Sequence, residues 1–120
     1  MSDNPGIDQT ALINRPRSNS AARTSKPKTQ PPYAVIVHND EEHTQDYVIE
    51  VLQRVCGHPL GKAVQLTSQV HTEGQANVWS GSLEVAELKR DQIRGFGPDF
   101  YSDQTVRFPL GVTIELLPGD

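Results

Sequence analysis

The order of strand and helix patterns along this chain predicts an α+β fold, a three-stranded antiparallel sheet packed with three helices in the order β-α-α-β-α-β. Two observations carry this prediction. A β-branched run and a final alternating segment have the patterns of strands, and apolar residues recur at helical spacing in three segments between them. We expect the helices to cover one side of the sheet.

The first strand is expected at residues 33–38, YAVIVH, and a helix follows it closely. Thr44 is a candidate N-cap for this helix, because its hydroxyl oxygen can accept a hydrogen bond from the first turn. Gly57 and Pro59 supply the signals that end the helix. The apolar residues that share its face are Tyr47, Val48, Val51, Leu52 and Val55.

A second helix is expected to begin near Leu60 and to be closed by Gly74. The residues of its stripe are Leu60, Ala63, Val64, Thr67, Val70 and His71. Residues 75–80, around Val78 and Trp79, predict the second strand, although they alternate little.

Ser82 is the candidate N-cap of the third helix, which the glycine at residue 95 ends. The apolar positions of this helix are Val85, Ala86, Leu88 and Ile93. Residues 95–106 are polar and rich in turn residues, so a loop is expected there. In the last strand four residues alternate toward the core, namely Leu110, Val112, Ile114 and Leu116.

Residues 1–32 differ in composition from residues 33–118, which are expected to form the core domain. They are rich in Ser, Thr, Asn, Gln and Pro, so they cannot bury enough apolar surface to offset the entropy of ordering, and we expect a flexible N-terminal extension. The extension carries five basic and two acidic side chains, whereas the remaining 88 residues carry six and thirteen. Because phosphate binding needs a basic face, this acidic body argues against nucleic acid as the main partner.

Several classes of function lack support in the sequence. Cys56 is the single cysteine, and no apolar stretch is long enough for a signal peptide or a membrane span, so a cytoplasmic protein without membrane contact is expected. The four histidines, His38, His43, His58 and His71, lack the spacing of a zinc site. No P-loop, GxGxxG or GxSxG motif is present. We therefore expect no cofactor, no metal and no enzymatic activity.

Asn39, Asp40 and Glu41 follow the first strand and have two interpretations. Asn and Asp favour turns because their side chains bond to nearby backbone, so a plain turn is the simpler one. The functional interpretation is that a carbonyl and a carboxylate accept the hydrogen bonds of a bound ammonium group. His71, by itself, is more typical of a satisfied interior or helix-end histidine than of a ligand.

Taken together, these segments resemble ClpS, a family of small adaptors that pass proteins to an AAA+ unfoldase and its Clp protease. The resemblance covers residues 33–94 and the final strand. It rests on motifs in the same order and spacing: Asn39-Asp40-Glu41, VIEVL at 48–52, KAVQL at 62–66 followed by Val70, His71 and Gly74, EVAELK at 84–89, and Pro109-Leu110.

The resemblance implies an adaptor that binds proteins with destabilising N-terminal residues and delivers them for degradation, without catalysis of its own. Carried over from the family, the residues that bind the α-amino group of the substrate are Asn39, Asp40 and His71, with Glu41 in place of a second Asp. Two acceptors at the strand end and an unprotonated imidazole nitrogen match the three protons of an ammonium group.

The family also has an apolar pocket for the first side chain of the substrate. The matching positions are Val37, His38, His43, Gln45, Val48, Thr67, Val70 and Leu110. His43 replaces a threonine that is usual in the family, and Gln45 and Thr67 replace methionines. Methionine adapts to large apolar groups, whereas Gln and Thr bring polar atoms that need partners. We therefore expect weak binding of Phe, Leu, Trp or Tyr N-termini, or a preference for a smaller or more polar residue.

The resemblance implies two further contacts and leaves two alternatives. Glu84 and Lys89 match the charged contacts by which the third helix binds the N-terminal domain of the unfoldase, and the extension resembles the family's segment that engages the unfoldase pore. A monomer is expected. One alternative is a regulator that docks on the unfoldase without binding an N-degron, which the polar pocket favours. The other is a structural or ribosomal interaction domain of similar fold, which would not need the amine-binding residues together.

Overall fold

The computed structural model describes residues 30–118, and the predicted element order is confirmed. The strands are β1 (Tyr33–His38), β2 (Gln75–Gly81) and β3 (Gly111–Leu116). The helices are α1 (Gln45–Arg54), α2 (Leu60–Glu73) and α3 (Leu83–Arg94). The extension predicted at residues 1–32 lies outside the described residues, except for its last three.

The sheet has the order β2-β1-β3, and both pairings are antiparallel, as predicted. Its central strand, β1, ends at His38, which lies opposite Gln75 of β2 and Gly111 of β3. Because β2 begins directly after α2, this register brings the end of β1 beside the C-terminus of α2. The residues that follow these two elements are therefore neighbours in space.

One face of the sheet and the three helices enclose the hydrophobic core. Alternate residues of a strand point to the same face, and the strands contribute Val35, Val37, Ala76, Val78 and Val112 to the core. The helices contribute, among others, Val51, Leu52, Ala63, Leu66 and Ile93. This arrangement agrees with the expectation that the helices cover one side of the sheet.

The ends of the helices follow the predicted capping signals. The hydroxyl of Thr44 accepts a hydrogen bond from the Tyr47 N–H at 3.1 Å, and that of Ser82 accepts one from the Val85 N–H at 3.4 Å. Gly74 ends α2 in the left-handed conformation with a φ of 90°, which glycine adopts without the steric cost of a Cβ atom. Local sequence therefore sets where each of these helix ends falls.

The apolar faces of α2 and α3 are narrower than the sequence predicts. Leu60 and Val64 of α2 are exposed, and so are Val85 and Leu88 of α3. The buried residues of α2 are Ala63, Leu66, Thr67 and Val70. A three-stranded sheet is too small to cover more than one stripe of each helix. Leu116, predicted to face the core, is 58% exposed because it is the last residue of an edge strand.

Candidate functional site

A cleft of about 240 Å³ opens where the end of β1, the start of α1 and the C-terminal half of α2 meet. Its lining includes all four residues predicted to bind an amine, namely Asn39, Asp40, Glu41 and His71. Five of the predicted pocket residues also line it: His43, Gln45, Val48, Thr67 and Val70. The fold thus brings together two sets of residues whose nearest members, Val48 and Thr67, lie 19 positions apart in the chain.

A backbone hydrogen bond holds the two sides of the cleft together. The Asn39 N–H donates to the Gly74 carbonyl oxygen at 2.9 Å. Gly74 is the left-handed residue that ends α2, and His71 lies in the last turn of the same helix. The bond therefore fixes the end of β1 against the helix end that carries His71.

The carboxylate of Asp40 organises the loop between β1 and α1. Its Oδ1 accepts hydrogen bonds from the backbone N–H groups of Glu42 at 2.8 Å and His43 at 2.7 Å, and its Oδ2 lies 2.7 Å from Nδ1 of the His43 ring. Burial by itself would raise the pKa of Asp40, but the hydrogen bonds from His43 and Glu42 outweigh it and lower the pKa. The ionised carboxylate is the form that this loop favours.

The His43 side chain is 2% exposed, and each of its ring nitrogens lies close to a polar oxygen. Its Nε2 lies 2.9 Å from the Phe108 carbonyl oxygen, and its ring stacks on Tyr47 with the centroids 5.2 Å apart. The ring therefore has a polar contact at each nitrogen and an aromatic contact on its face. His43 is therefore a fixed, polar part of the cleft wall.

Asp99, in the long loop between α3 and β3, binds Thr44, the residue that follows His43. Its carboxylate is fully buried and accepts hydrogen bonds from the Thr44 N–H at 2.7 Å, the Thr44 hydroxyl at 3.1 Å and the Tyr101 N–H at 2.9 Å. Asp99 also pairs with the buried Val106 in an isolated antiparallel bridge. The loop predicted to be polar and turn-rich thus contains a buried anchor.

Sequence reasoning missed both Asp99 and Phe108. The local signal for Asp99 is an Asp directly after Pro98, which is typical of a turn and says nothing about a partner 55 positions away. Phe108 contributes a backbone carbonyl, which no side-chain pattern can reveal. Neither residue lines the cleft. The Phe108 carbonyl contacts His43, which lines it, and Asp99 binds Thr44, the next residue in the chain.

Three predicted pocket residues are not part of the lining. Val37 and Leu110 are buried in the core cluster instead. His38 is half-buried, and its Nε2 lies 2.7 Å from the Thr113 hydroxyl of β3. Val37 faces the helices and packs on the core, whereas His38, the next residue of β1, points to the other face of the sheet.

The two residues predicted to contact an unfoldase lie on α3, which contributes nothing to the cleft lining. Glu84 is exposed in the first turn. The ammonium group of Lys89 donates a hydrogen bond to the Val55 carbonyl oxygen at 2.9 Å, which caps the C-terminus of α1. Part of the hydrogen-bonding capacity of Lys89 therefore serves the fold.

Two further sites are not found among residues 30–118. No group of three His, Cys, Asp or Glu side chains in this part of the chain could hold a metal ion. None of the helices described here is long and apolar enough to cross a membrane.

Cys56 packs against the core, and burial raises the pKa of its thiol to about 11, with Lys89 opposing the shift. A thiol with this pKa is a poor nucleophile near neutral pH.

The fold and the cleft define a small α+β domain with a cleft at the end of its central strand, lined by polar and apolar side chains and large enough for a single side chain. The family model for the ATP-dependent Clp protease adaptor protein ClpS matches residues 28–112. This chain therefore belongs to the ClpS family and is an adaptor of the Clp protease, as the sequence resemblance suggested.

Similar proteins agree with this assignment. The chain is 46% identical over 82 residues to the Clp protease adapter protein ClpS of a Nostoc species, which covers 68% of this chain and 80% of that protein. It is 40% identical over 68 residues to the ClpS of Vibrio atlanticus, covering 55% of this chain and 64% of that protein. The structure of Agrobacterium tumefaciens ClpS2 bound to L-phenylalaninamide superposes with a TM-score of 0.63 at 24% identity, covering 74% of this chain and all of that one. The last comparison shows that the fold is shared.

Proposed function

We propose that the cleft binds the free N-terminus of proteins with a destabilising first residue, and that the adaptor delivers these proteins to an AAA+ Clp unfoldase. One observation carries the proposal. The fold brings Asn39, Asp40 and His71 to the mouth of a cleft whose inner wall includes the apolar side chains of Val48 and Val70. The polar residues would bind a charged amine, and the apolar residues would contact the adjoining side chain.

A bound amine would contact two polar side chains that are free to form hydrogen bonds and one carboxylate that is already hydrogen-bonded. Asn39 and His71 are exposed, and among residues 30–118 neither side chain makes a hydrogen bond. Asp40 already accepts three hydrogen bonds. Since a carboxylate offers about four acceptor positions, Asp40 contributes chiefly negative charge and at most one direct bond to the amine.

The size of the cleft supports recognition of one residue. A volume of about 240 Å³ lies below the roughly 300–1,000 Å³ that is typical of small-molecule sites. L-phenylalaninamide, the ligand of the Agrobacterium protein with the same fold, combines a free α-amine with one bulky side chain and an amide. These are the groups that the first residue of a protein chain presents.

Acetylation of the peptide tests the proposal. We expect a fluorescent peptide with a free bulky first residue to bind, and its Nα-acetylated form to lose at least about 100-fold in affinity, because acetylation removes the charge and two donors and leaves the polar groups of the cleft unpaired. Anisotropy titrations should show the same loss in Asn39→Ala and His71→Ala. Glu73→Gln, an exposed change in the same turn as His71, is the matched control.

Two results would contradict the proposal. Equal affinity for the free and acetylated peptides would show that the cleft has no site for the α-amine. Absence of all peptide binding in a protein that still binds the unfoldase would favour the alternative, a regulator that docks without reading an N-degron.

We further infer that α3 carries the docking surface for the unfoldase. Glu84 is exposed there beside three partly exposed apolar residues, Leu83, Val85 and Leu88. An exposed apolar group edged by charge is typical of a protein contact. Because α3 takes no part in the cleft, substrate and unfoldase could be held at once.

A further inference from the structure

Thr67, in the middle of α2, has a hydroxyl group with no hydrogen-bond partner. Its side chain is 2% exposed, and Oγ1 is the one buried side-chain polar atom without a partner among residues 30–118. A threonine inside a helix commonly donates to the carbonyl four residues earlier. Thr72 in the same helix does so, with its hydroxyl 3.0 Å from the Ser68 carbonyl oxygen. The hydroxyl of Thr67 is therefore an exception within its own helix.

The position of Thr67 connects this unpaired group with the cleft. Thr67 lines the cleft together with Val48 and Val70, which are buried, whereas Asn39 and His71 are exposed at the mouth. Thr67 therefore belongs to the buried side of the cleft, one helical turn before His71. Buried polar groups in proteins nearly always have a partner, and rotation about χ1 of Thr67 would turn this unpaired hydroxyl toward a ligand in the cleft.

No other polar residue of the cleft wall forms a hydrogen bond with the Thr67 hydroxyl. Both ring nitrogens of His43 are directed at other groups, the Asp40 carboxylate and the Phe108 carbonyl oxygen. Gln45 is exposed and stands at the rim. A substrate side chain that fills the cleft would thus meet the apolar side chains of Val48 and Val70 and the unpaired hydroxyl of Thr67.

We propose that Thr67 determines specificity by hydrogen-bonding a polar atom at the tip of the substrate's first side chain, so that the adaptor prefers N-terminal tyrosine to phenylalanine. This inference rests on the proposed function, because it assumes that the cleft holds the first residue. The two side chains differ by one hydroxyl, and a hydroxyl can both donate to and accept from Thr67 Oγ1. A purely apolar partner would leave Oγ1 buried and unpaired, which disfavours phenylalanine.

The test is a set of anisotropy titrations with the full chain and peptides that differ only at the first residue. We expect tyrosine to bind about 3- to 10-fold more tightly than phenylalanine, the range expected for one net hydrogen bond. 4-Methylphenylalanine, which resembles tyrosine in size but has no hydroxyl, should bind no better than phenylalanine. That peptide separates hydrogen bonding from shape.

Two variants assign the preference to Thr67. Thr67→Val keeps the shape of the side chain and removes the hydroxyl, so the ratio of tyrosine to phenylalanine affinity should fall to about one or below. Thr67→Ser keeps the hydroxyl, so the preference for tyrosine should remain. Circular dichroism and the melting temperature of each variant show whether it is folded. Thr67→Ala also removes the hydroxyl and replaces Thr67→Val if that variant does not fold; the preference for tyrosine should disappear in it as well.

The outcomes distinguish this inference from the proposed function. Equal affinity for tyrosine and phenylalanine, or a preference for tyrosine that Thr67→Val leaves unchanged, would overturn the role of Thr67 while N-terminal recognition stands. Loss of binding to every free N-terminus would overturn both. A preference for tyrosine that disappears in Thr67→Val and persists in Thr67→Ser supports the inference.

Discussion

Single residues at the cleft compete for a small number of hydrogen bonds. Asp40 accepts bonds from two backbone N–H groups and from the His43 ring before any ligand arrives. The sequence offered a plain turn and an amine ligand as alternative interpretations of this residue. In the structure the turn is present, and it leaves the charge of the carboxylate at the mouth of the cleft, so the two interpretations are compatible.

The loop that Asp40 organises should respond to acid in a defined direction. Because the folded pKa is lowered, the ionised carboxylate stabilises the fold above the unfolded pKa of about 3.9, and this stabilisation is lost as the pH falls through the folded value. We expect Asp40→Asn to lower the free energy of unfolding by about 1 kcal/mol at pH 7, a modest value because solvent screens a partly exposed group. Urea unfolding at several pH values measures this.

The pH dependence is the decisive part of that experiment. The difference between wild type and Asp40→Asn should be constant from pH 7 to pH 5 and should shrink below about pH 4. Glu42→Gln, an exposed change in the same loop, is the control and should show little difference at pH 7. A difference between wild type and Asp40→Asn that persists unchanged at pH 3 would show that the carboxylate charge is not the cause.

At the level of elements, the cleft depends on how one helix ends. Gly74 has a φ of 90°, and its carbonyl oxygen accepts a hydrogen bond from the Asn39 N–H. This residue therefore connects the end of α2 to the end of β1. A residue with a Cβ atom at this position would strain the backbone at the point where the two sides of the cleft meet.

Gly61 in α2 and Gly74 at the C-terminal end of α2 should therefore respond to alanine with changes in stability of opposite sign. Gly74→Ala is expected to lower the free energy of unfolding by about 1–2 kcal/mol, because alanine avoids the left-handed region. Gly61→Ala is the matched control: Gly61 is helical with open space around it, so alanine should raise stability by up to about 1 kcal/mol. Chemical denaturation measures both, and equal effects of the two changes would contradict the role given to Gly74.

The whole molecule presents two surfaces on different elements. The cleft is formed by the end of β1, the start of α1 and the C-terminal half of α2, and the proposed docking surface is on α3. An adaptor that links a substrate to an unfoldase gains effective concentration only if both contacts can form together. The basic extension, residues 1–32, stays a prediction as a third contact, with the unfoldase pore.

Variants on the two surfaces should separate the two contacts. Glu84→Lys is expected to weaken binding to the unfoldase N-terminal domain about 10-fold while peptide affinity stays within about 2-fold, and His71→Ala should do the reverse. Glu115→Lys makes the same charge change at an exposed position of β3 and serves as the control. Pull-down and peptide titration on the same preparations report both contacts. Loss of peptide binding in Glu84→Lys would contradict two separate surfaces.

Most of the fold could be predicted from local patterns, whereas the residues of the cleft lining were predicted through the family resemblance. Thr44, Ser82 and Gly74 end or begin helices through contacts within a few residues, so their roles are visible in sequence. The strand-end triplet and His71 were predicted together only because several motifs matched one family. The widths of the helix faces were overestimated, since periodicity shows which residues share a face and not how much of it a small sheet covers.

The sequence by itself determined the element order, the helix ends and the family, because these depend on side-chain periodicity, capping groups and short motifs. Only the tertiary structure decided how Asp40 is shared with His43, that Asp99 is buried behind Thr44, that Lys89 caps α1 and that Thr67 is left without a partner. The physical reason is the same in the last three cases. Whether a buried polar group is satisfied depends on atoms supplied by distant parts of the chain, and their positions are fixed only when the elements pack.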